Sequence, residues 1–198
     1  MILSHQGQAP EIHPSAWVAP SATVCGAVKL GPDARVAHGA TVIAEGGSIE
    51  LGERCIVLEN AVVRSTARHS TRVGRHCLIG PHAHLVGCTL EDAVFVATSA
   101  AVFHGAHLER ESEVRVHGVV HLRSRLTRGE TVPIGWVAVG DPAKIFPPDR
   151  HEDIWRQQMP LDFPKTAYGV AREEADMLAI TERMAALLGT HADDEILG

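Results

Sequence analysis

Aromatic side chains are scarce: Phe, Trp and Tyr make up 4% of the chain, with a single tyrosine. A core built on stacked rings is excluded. Positive charge is also in deficit. Eighteen Lys and Arg face 24 Asp and Glu, for a formal net charge of −6. That balance argues against a broad phosphate-binding face, so no nucleic-acid partner is expected. No apolar run approaches the ~18 residues that a membrane span needs. The opening Met1-Ile-Leu-Ser-His-Gln-Gly-Gln-Ala-Pro10 has neither the basic flank nor the apolar stretch of a secretory signal. The expectation is a cytoplasmic protein without a membrane partner. Cysteine is sparse: Cys25, Cys55, Cys77 and Cys88 form no C-x-x-C pair, and a chain this long does not need disulfide staples. They read as reduced thiols.

What remains is a chain of 198 residues with 45% hydrophobic and 21% charged side chains, enough for one folded domain and a tail. Its 13 histidines are an unusual excess. Its aliphatic residues are periodic. Ile12, Val18, Val24, Leu30, Val36 and Val42 recur every six residues. A second run in a shifted phase gives Leu90, Val96, Val102, Leu108, Val114, Val120, Leu126, Val132 and Ala138. A period of six fits neither an α-helix nor a lone amphipathic strand. It fits a solenoid of short strands, with one hexapeptide on each flat side and three sides per coil. The fourth residue after most of these aliphatics is small, as at Ala16, Ala22, Ala34 and Ala40, and later at Ala100, Ala106, Ser112, Gly118 and Ser124. The bulky residue should fill the flat side and the small one the tight corner. Cys55 and Cys77 take that corner slot and should stack in one inner column, and Trp136 takes it on the last coil, where it would cap the core.

The register slips between the two runs. Gly46-Gly47 lies in one break, Val63 to Val73 spans ten residues instead of six, and Leu85 to Leu90 spans five. Such interruptions are where solenoids carry function. The repeat ends at Gly140-Asp-Pro-Ala-Lys-Ile145. This predicts a β-helix domain over 1–146 and a linker with a helical tail over 147–198. Pro160 and Pro164 should keep the linker irregular. Met177, Ile180, Met184 and Leu187 suggest a helix from about Ala171 to Leu188, packed along the coil or at a subunit seam.

The hexapeptide array with Val139-Gly-Asp-Pro-Ala-Lys144 at its exit resembles left-handed parallel β-helix proteins. Pro10-Glu-Ile-His-Pro-Ser-Ala-Trp-Val-Ala-Pro20, the Gly39–Leu51 segment, Glu59-Asn60 and Ile79-Gly80 followed by Leu85-Val-Gly-Cys-Thr89 narrow this to the γ-class carbonic anhydrase-like family. The resemblance covers roughly residues 10–146. It implies an all-β solenoid with a C-terminal α-helix and a homotrimer with zinc, or iron or cobalt in its place, held between subunits by three histidines.

At that site the sequence departs from the family. The three ligand positions are Arg64, Pro81 and Val86. The family's Arg-Gly-Asp reads Ile43-Ala-Glu45, and its Gln-Asp reads Leu58-Glu59. Two histidines remain in the segment at His82 and His84, and His84 would lie on the same outward strand face as Val86, about 6–7 Å away. A third ligand would come from His69 in the extra loop or from His121, which shares a column with Arg64, Val86 and Phe103. His104, His107 and His117 are further candidates, the last sharing a column with Asn60, His82 and Ser99. His5, His13, His38, His76, His151 and His191 read as surface residues. Glu59 or Glu45 would move protons. Arg64 would hold an anionic substrate or Glu59, or form an intersubunit ion pair.

Three functions follow. One is a metal-dependent lyase or hydrolase acting on CO₂ or a thioester as small-molecule substrate. Another is a coenzyme A-dependent acyltransferase with His69 as general base. The third is a trimeric scaffold without metal.

Overall fold

The computed structural model describes residues 1–198. The chain forms a left-handed parallel β-helix of about eight turns, followed by helices. Each turn crosses three flat faces. A typical coil has strands Thr41–Glu45, Ile49–Leu51 and Ile56–Val57 before the next begins at Val62. The second and third faces are seven-stranded, and the first is ten-stranded.

The aliphatic period becomes three inner columns. On the first face Val24, Val42, Val63, Leu85, Val102, Val120 and Ala138 stack coil on coil. On the second, Ile12, Leu30, Leu51, Val73, Leu90, Leu108 and Leu126 do so. Val18, Val36, Val57, Ile79, Val96, Val114 and Val132 complete the third. Nearly all are buried in one continuous core, and Trp136 packs against its end. Cys55 and Cys77 are adjacent in the expected corner column, with Ile56 donating its N–H to the Cys77 carbonyl at 2.9 Å. All four cysteines are buried free thiols.

Each corner must turn the chain by about a third of a circle within two residues, and it does so through the left-handed backbone region. Asn60, His82, Ser99 and His117 occupy one such column with φ of 56°, 57°, 56° and 57°. The polar character of most of these residues reflects that backbone demand.

The irregular spacings all fall at the corner between the first and second faces. Here the chain makes a tight hairpin at His5–Gln8 and another at Thr66–His69, and it bulges at Gly46-Gly47. At the next coil the corner is contracted to Gly87, with φ +59°. A Cβ there would lie 2.5 Å from the Cβ of His69, so glycine is what lets the Thr66–His69 hairpin pack over the corner.

Both ends of the first face are covered by antiparallel strands. Lys144–Phe146 pairs with Val137–Val139 at one end. At the other, Glu195–Ile196 returns from the C-terminus and pairs with Ile2–Ser4. These strands blunt edges that would otherwise invite pairing with another chain.

The segment after the solenoid is more helical than its prolines suggested. Helix α1 spans His151–Gln158 and buries Ile154, and α2 spans Phe163–Tyr168 with Pro164 in its first turn, where a missing N–H costs nothing. The last helix, α3, is Met177–Gly189, shorter than the apolar pattern implied. Asp176 caps it by accepting the Ala179 N–H at 2.8 Å, which starts the helix there and leaves a 3₁₀ turn at Arg172–Glu174. No residue of α3 is fully buried, and Ile180 and Met184 are half-buried. No helix is long and apolar enough to cross a membrane.

Leu85 is fully buried in the first-face column. Leu85→Ala is expected to lower unfolding free energy by about 2–5 kcal/mol, while Lys29→Ala, on an exposed strand position, should stay within about 0.5 kcal/mol. Urea denaturation compares them, and equal costs would refute the column assignment.

Candidate functional site

The outward column beside the irregular corner runs Cys25, Ile43, Arg64, Val86, Phe103 and His121, fixed by the parallel register of the first face and by the N–H of Phe103 donating to Val120. Arg64 and Val86 are therefore direct neighbours. Arg64 is held from below and above. Its side chain donates to Glu45, and its carbonyl accepts from the buried Thr71 hydroxyl, which itself accepts from the Gly87 N–H at 2.8 Å. Glu45 is buried at 4% exposure, so a carboxylate and a guanidinium neutralise each other within one chain. Within the chain, the partner of Arg64 is therefore Glu45 and not Glu59.

Pro81 lies elsewhere. It lines an apolar groove of about 570 Å³ on the third face with Leu58, Leu78, Phe95 and Ile134. His82 follows it on the exposed left-handed corner, while His84 is half-buried on the first face. Glu59 is exposed at the same corner as His82, whose N–H donates to the Glu59 carbonyl at 3.0 Å.

Four histidines, His69, His84, His104 and His121, gather on the first-face side, while His107 lies on the second face and His117 at the same corner column as His82. The His69 and His104 rings are edge to face with centroids 5.7 Å apart. His84 lies 6.4 Å from Phe103, and Phe103 lies 6.1 Å from His121. Phe163 of α2 covers Phe103 at 5.8 Å and His121 at 6.1 Å. Burial, and then the Arg64 charge, lowers the His84 pKa. His69 is lowered by burial, then by Arg123 and Arg68. Burial pushes His104 down to about 4, helped by His69, His84 and Arg64, and burial alone takes His121 to about 4. The buried Nδ1 atoms of His104 and His121 have no hydrogen-bond partner.

Within one chain, His82, His84, His69 and His121 do not converge on a common point. The donor atoms that do converge belong to His5, Cys25, His191 and Asp194, all within 4.8 Å of one another. Two of these histidines were expected at the surface, yet His5 is 3% exposed. No local pattern marks this group, because Asp194 reaches His5 across 189 positions of sequence.

Stacked three-sided coils with hexapeptide spacing define a hexapeptide-repeat β-helix protein. No family model matches the chain. Curated relatives do. γ-Carbonic anhydrase 1, mitochondrial, of Arabidopsis thaliana is 28% identical over 192 residues, 93% of this chain and 68% of that protein. γ-Carbonic anhydrase 2, mitochondrial, of the same plant is 27% identical over 153 residues, covering 74% of this chain and 53% of the relative. Among solved structures, a hexapeptide transferase family protein from Anaplasma phagocytophilum superimposes with a TM-score of 0.56 at 23% identity, over 96% of this chain and 95% of that one. That likeness speaks to the fold. The sequence relatives and the fold together support a γ-carbonic anhydrase-like hexapeptide-repeat protein.

The neutral imidazoles have a consequence for stability. An unfolded histidine takes up a proton near 6.5, whereas His104 and His121 in the folded chain resist it until about 4. The unfolded state therefore binds more protons in that window, so stability is full above it and falls as pH drops through it. His121→Phe removes one such group and keeps an apolar ring under Phe163. The loss of thermal midpoint between about pH 7 and about pH 5 should be smaller in the variant than in the parent. An unchanged or larger loss would contradict the burial argument.

Proposed function

We propose that the protein is a homotrimeric, metal-dependent lyase or hydrolase whose metal has moved from the family's position to neighbouring histidines. The family's own position does not fit a metal. Arg64, Pro81 and Val86 offer no donor, and the Arg64 guanidinium places a cation there. The displaced set does fit by donor chemistry. His84 would hold the metal from the first face, and His82 with His69 or His121 would join from neighbouring copies. The observation that carries this reading is the crowding of half-buried and buried imidazoles around Val86, in a chain whose relatives are named γ-carbonic anhydrases.

A metal held there supplies Lewis acidity, which makes water nucleophilic near neutral pH toward CO₂ or a thioester carbonyl. The chain's own contribution is orientation and proton handling. The Arg64–Glu45 pair leaves no net charge beside the ligands. It also ties up Glu45, so Glu59, exposed next to His82, is the carboxylate free to accept a proton and release it to solvent. Phe103 and Phe163 exclude water from the His121 side. The trimer is supported by the apolar third-face groove around Pro81 and by the exposed Met177, Leu178, Leu187 and Leu188 of α3.

A second reading has one specific observation behind it. His69 lies in a small cavity of about 250 Å³ with Arg68, Arg123, Lys165 and Thr166. A neutral imidazole among cations suits an acyltransferase that binds the phosphates of coenzyme A and uses His69 as general base.

Metal analysis of tag-free protein separates the readings. The parent should carry zinc, iron or cobalt that His82→Ala/His84→Ala loses in part or whole. Equal metal in both proteins would refute the displaced site, and retention of the parent on immobilised coenzyme A, abolished by His69→Ala, would then favour acyl transfer.

A further inference from the structure

The C-terminal tail ends where the first coils begin. Leu197 donates its N–H to the Ile2 carbonyl at 2.8 Å, and Glu195–Ile196 adds a strand beside Ile2–Ser4. This brings Asp194 between two imidazoles. His5 Nδ1 lies 2.6 Å from Asp194 Oδ1, and His191 Nδ1 lies 2.7 Å from Asp194 Oδ2. The buried Cys25 thiol donates to the same carboxylate at 3.5 Å. The two rings are stacked, with centroids 4.2 Å apart and planes inclined by 22°. Burial alone would raise the Asp194 pKa, but hydrogen bonds from His191, His5 and Cys25 outweigh it and hold the carboxyl below its usual range.

We propose that His5, Cys25, His191 and Asp194 form a zinc-type metal site that clips the C-terminal tail to the solenoid. Two imidazole nitrogens, a thiolate and a carboxylate are a donor set that zinc takes in four-coordinate sites. Bonds of about 2.0–2.3 Å put tetrahedral ligand atoms about 3.4–3.7 Å apart. The four atoms here, all within 4.8 Å of one another, need only small side-chain adjustments to reach that spacing.

A hydrogen-bond network alone explains this cluster less well. Both histidines aim Nδ1 at one carboxylate, and the side chain of Cys25 has no polar contact except that carboxylate. The surroundings also match a metal centre. The far nitrogen of His191, Nε2, faces Glu45 Oε1 at 3.7 Å, the outer carboxylate that orients a ligating imidazole. Glu45 is in turn paired with Arg64.

Charge closes as well. A divalent cation balances the Asp194 carboxylate and a Cys25 thiolate, whose proton leaves to solvent as the metal binds. The Glu45–Arg64 pair outside is neutral. This site is independent of the one proposed for catalysis, which contains no sulfur donor.

Reconstitution of the metal-free full chain with Co²⁺ tests it through the thiolate-to-cobalt charge-transfer band. The band is expected in the parent and in His82→Ala/His84→Ala. It should vanish in Cys25→Ser and in Asp194→Asn, both close in shape to the native side chains. Zn²⁺ well above its Kd should also slow proteolytic removal of the tail by more than about tenfold in the parent and not in Cys25→Ser. A parent without the band, or tail cleavage indifferent to metal, overturns the proposal. Loss of the band in the His82/His84 variant overturns it too, because the cobalt would then report a different site.

Discussion

Everything in this molecule depends on coil-to-coil register. Each strand is two to five residues long, far too short to stand alone. It is held because its backbone pairs in parallel with the coils on both sides while its inward aliphatic residue falls directly over the one before. A slip by one residue would turn every aliphatic outward. With register fixed, each outward position is also defined, and chemistry-bearing side chains from distant parts of the sequence line up in columns. Arg64 sits over Ile43 and under Val86 for that reason alone.

The three-sided coil tolerates departures only at its corners, and this chain concentrates them at one. The His5–Gln8 hairpin, the Gly46-Gly47 bulge, the Thr66–His69 hairpin and the contraction at Gly87 all occur between the first and second faces. The same corner gathers Glu45, Arg64, His69 and His104, and it receives His191 and Asp194 from the C-terminus. Regular coils supply a rigid wall, and the irregular corner supplies space that side chains can occupy. The Arg64–Glu45 pair occupies that corner. A cation is carried by the protein itself, and its countercharge is a carboxylate on the preceding coil, two residues beyond Ile43, the register partner of Arg64.

Much of this was legible in the sequence. The period of six located the inner columns, the small fourth residues located the corners, and the spacing errors located the irregular corner. Cys55 and Cys77 stack as their slot implied, and the column holding Arg64, Val86, Phe103 and His121 could be counted from register. What could not be read depends on segments that return from far away. His5 and His191 look like lone surface histidines because nothing local reveals that the tail adds a strand to Ile2–Ser4. The sequence offered Arg64 a partner at Glu59 or across a seam, because nothing local points to Glu45, 19 positions upstream on the preceding coil. Pro164 looked like a breaker, yet in the first turn of a helix a proline is accommodated.

In the proposed function a metal between copies of the chain is held by the histidines beside Val86 and not at the position of Arg64. A crystal structure of tag-free protein with an anomalous difference map at the zinc edge tests it most directly. The account predicts a peak next to His84 at a contact between copies, with Arg64 still paired to Glu45. Copies that meet with no peak near His84, or a peak coordinated where Arg64, Pro81 and Val86 stand, would contradict it.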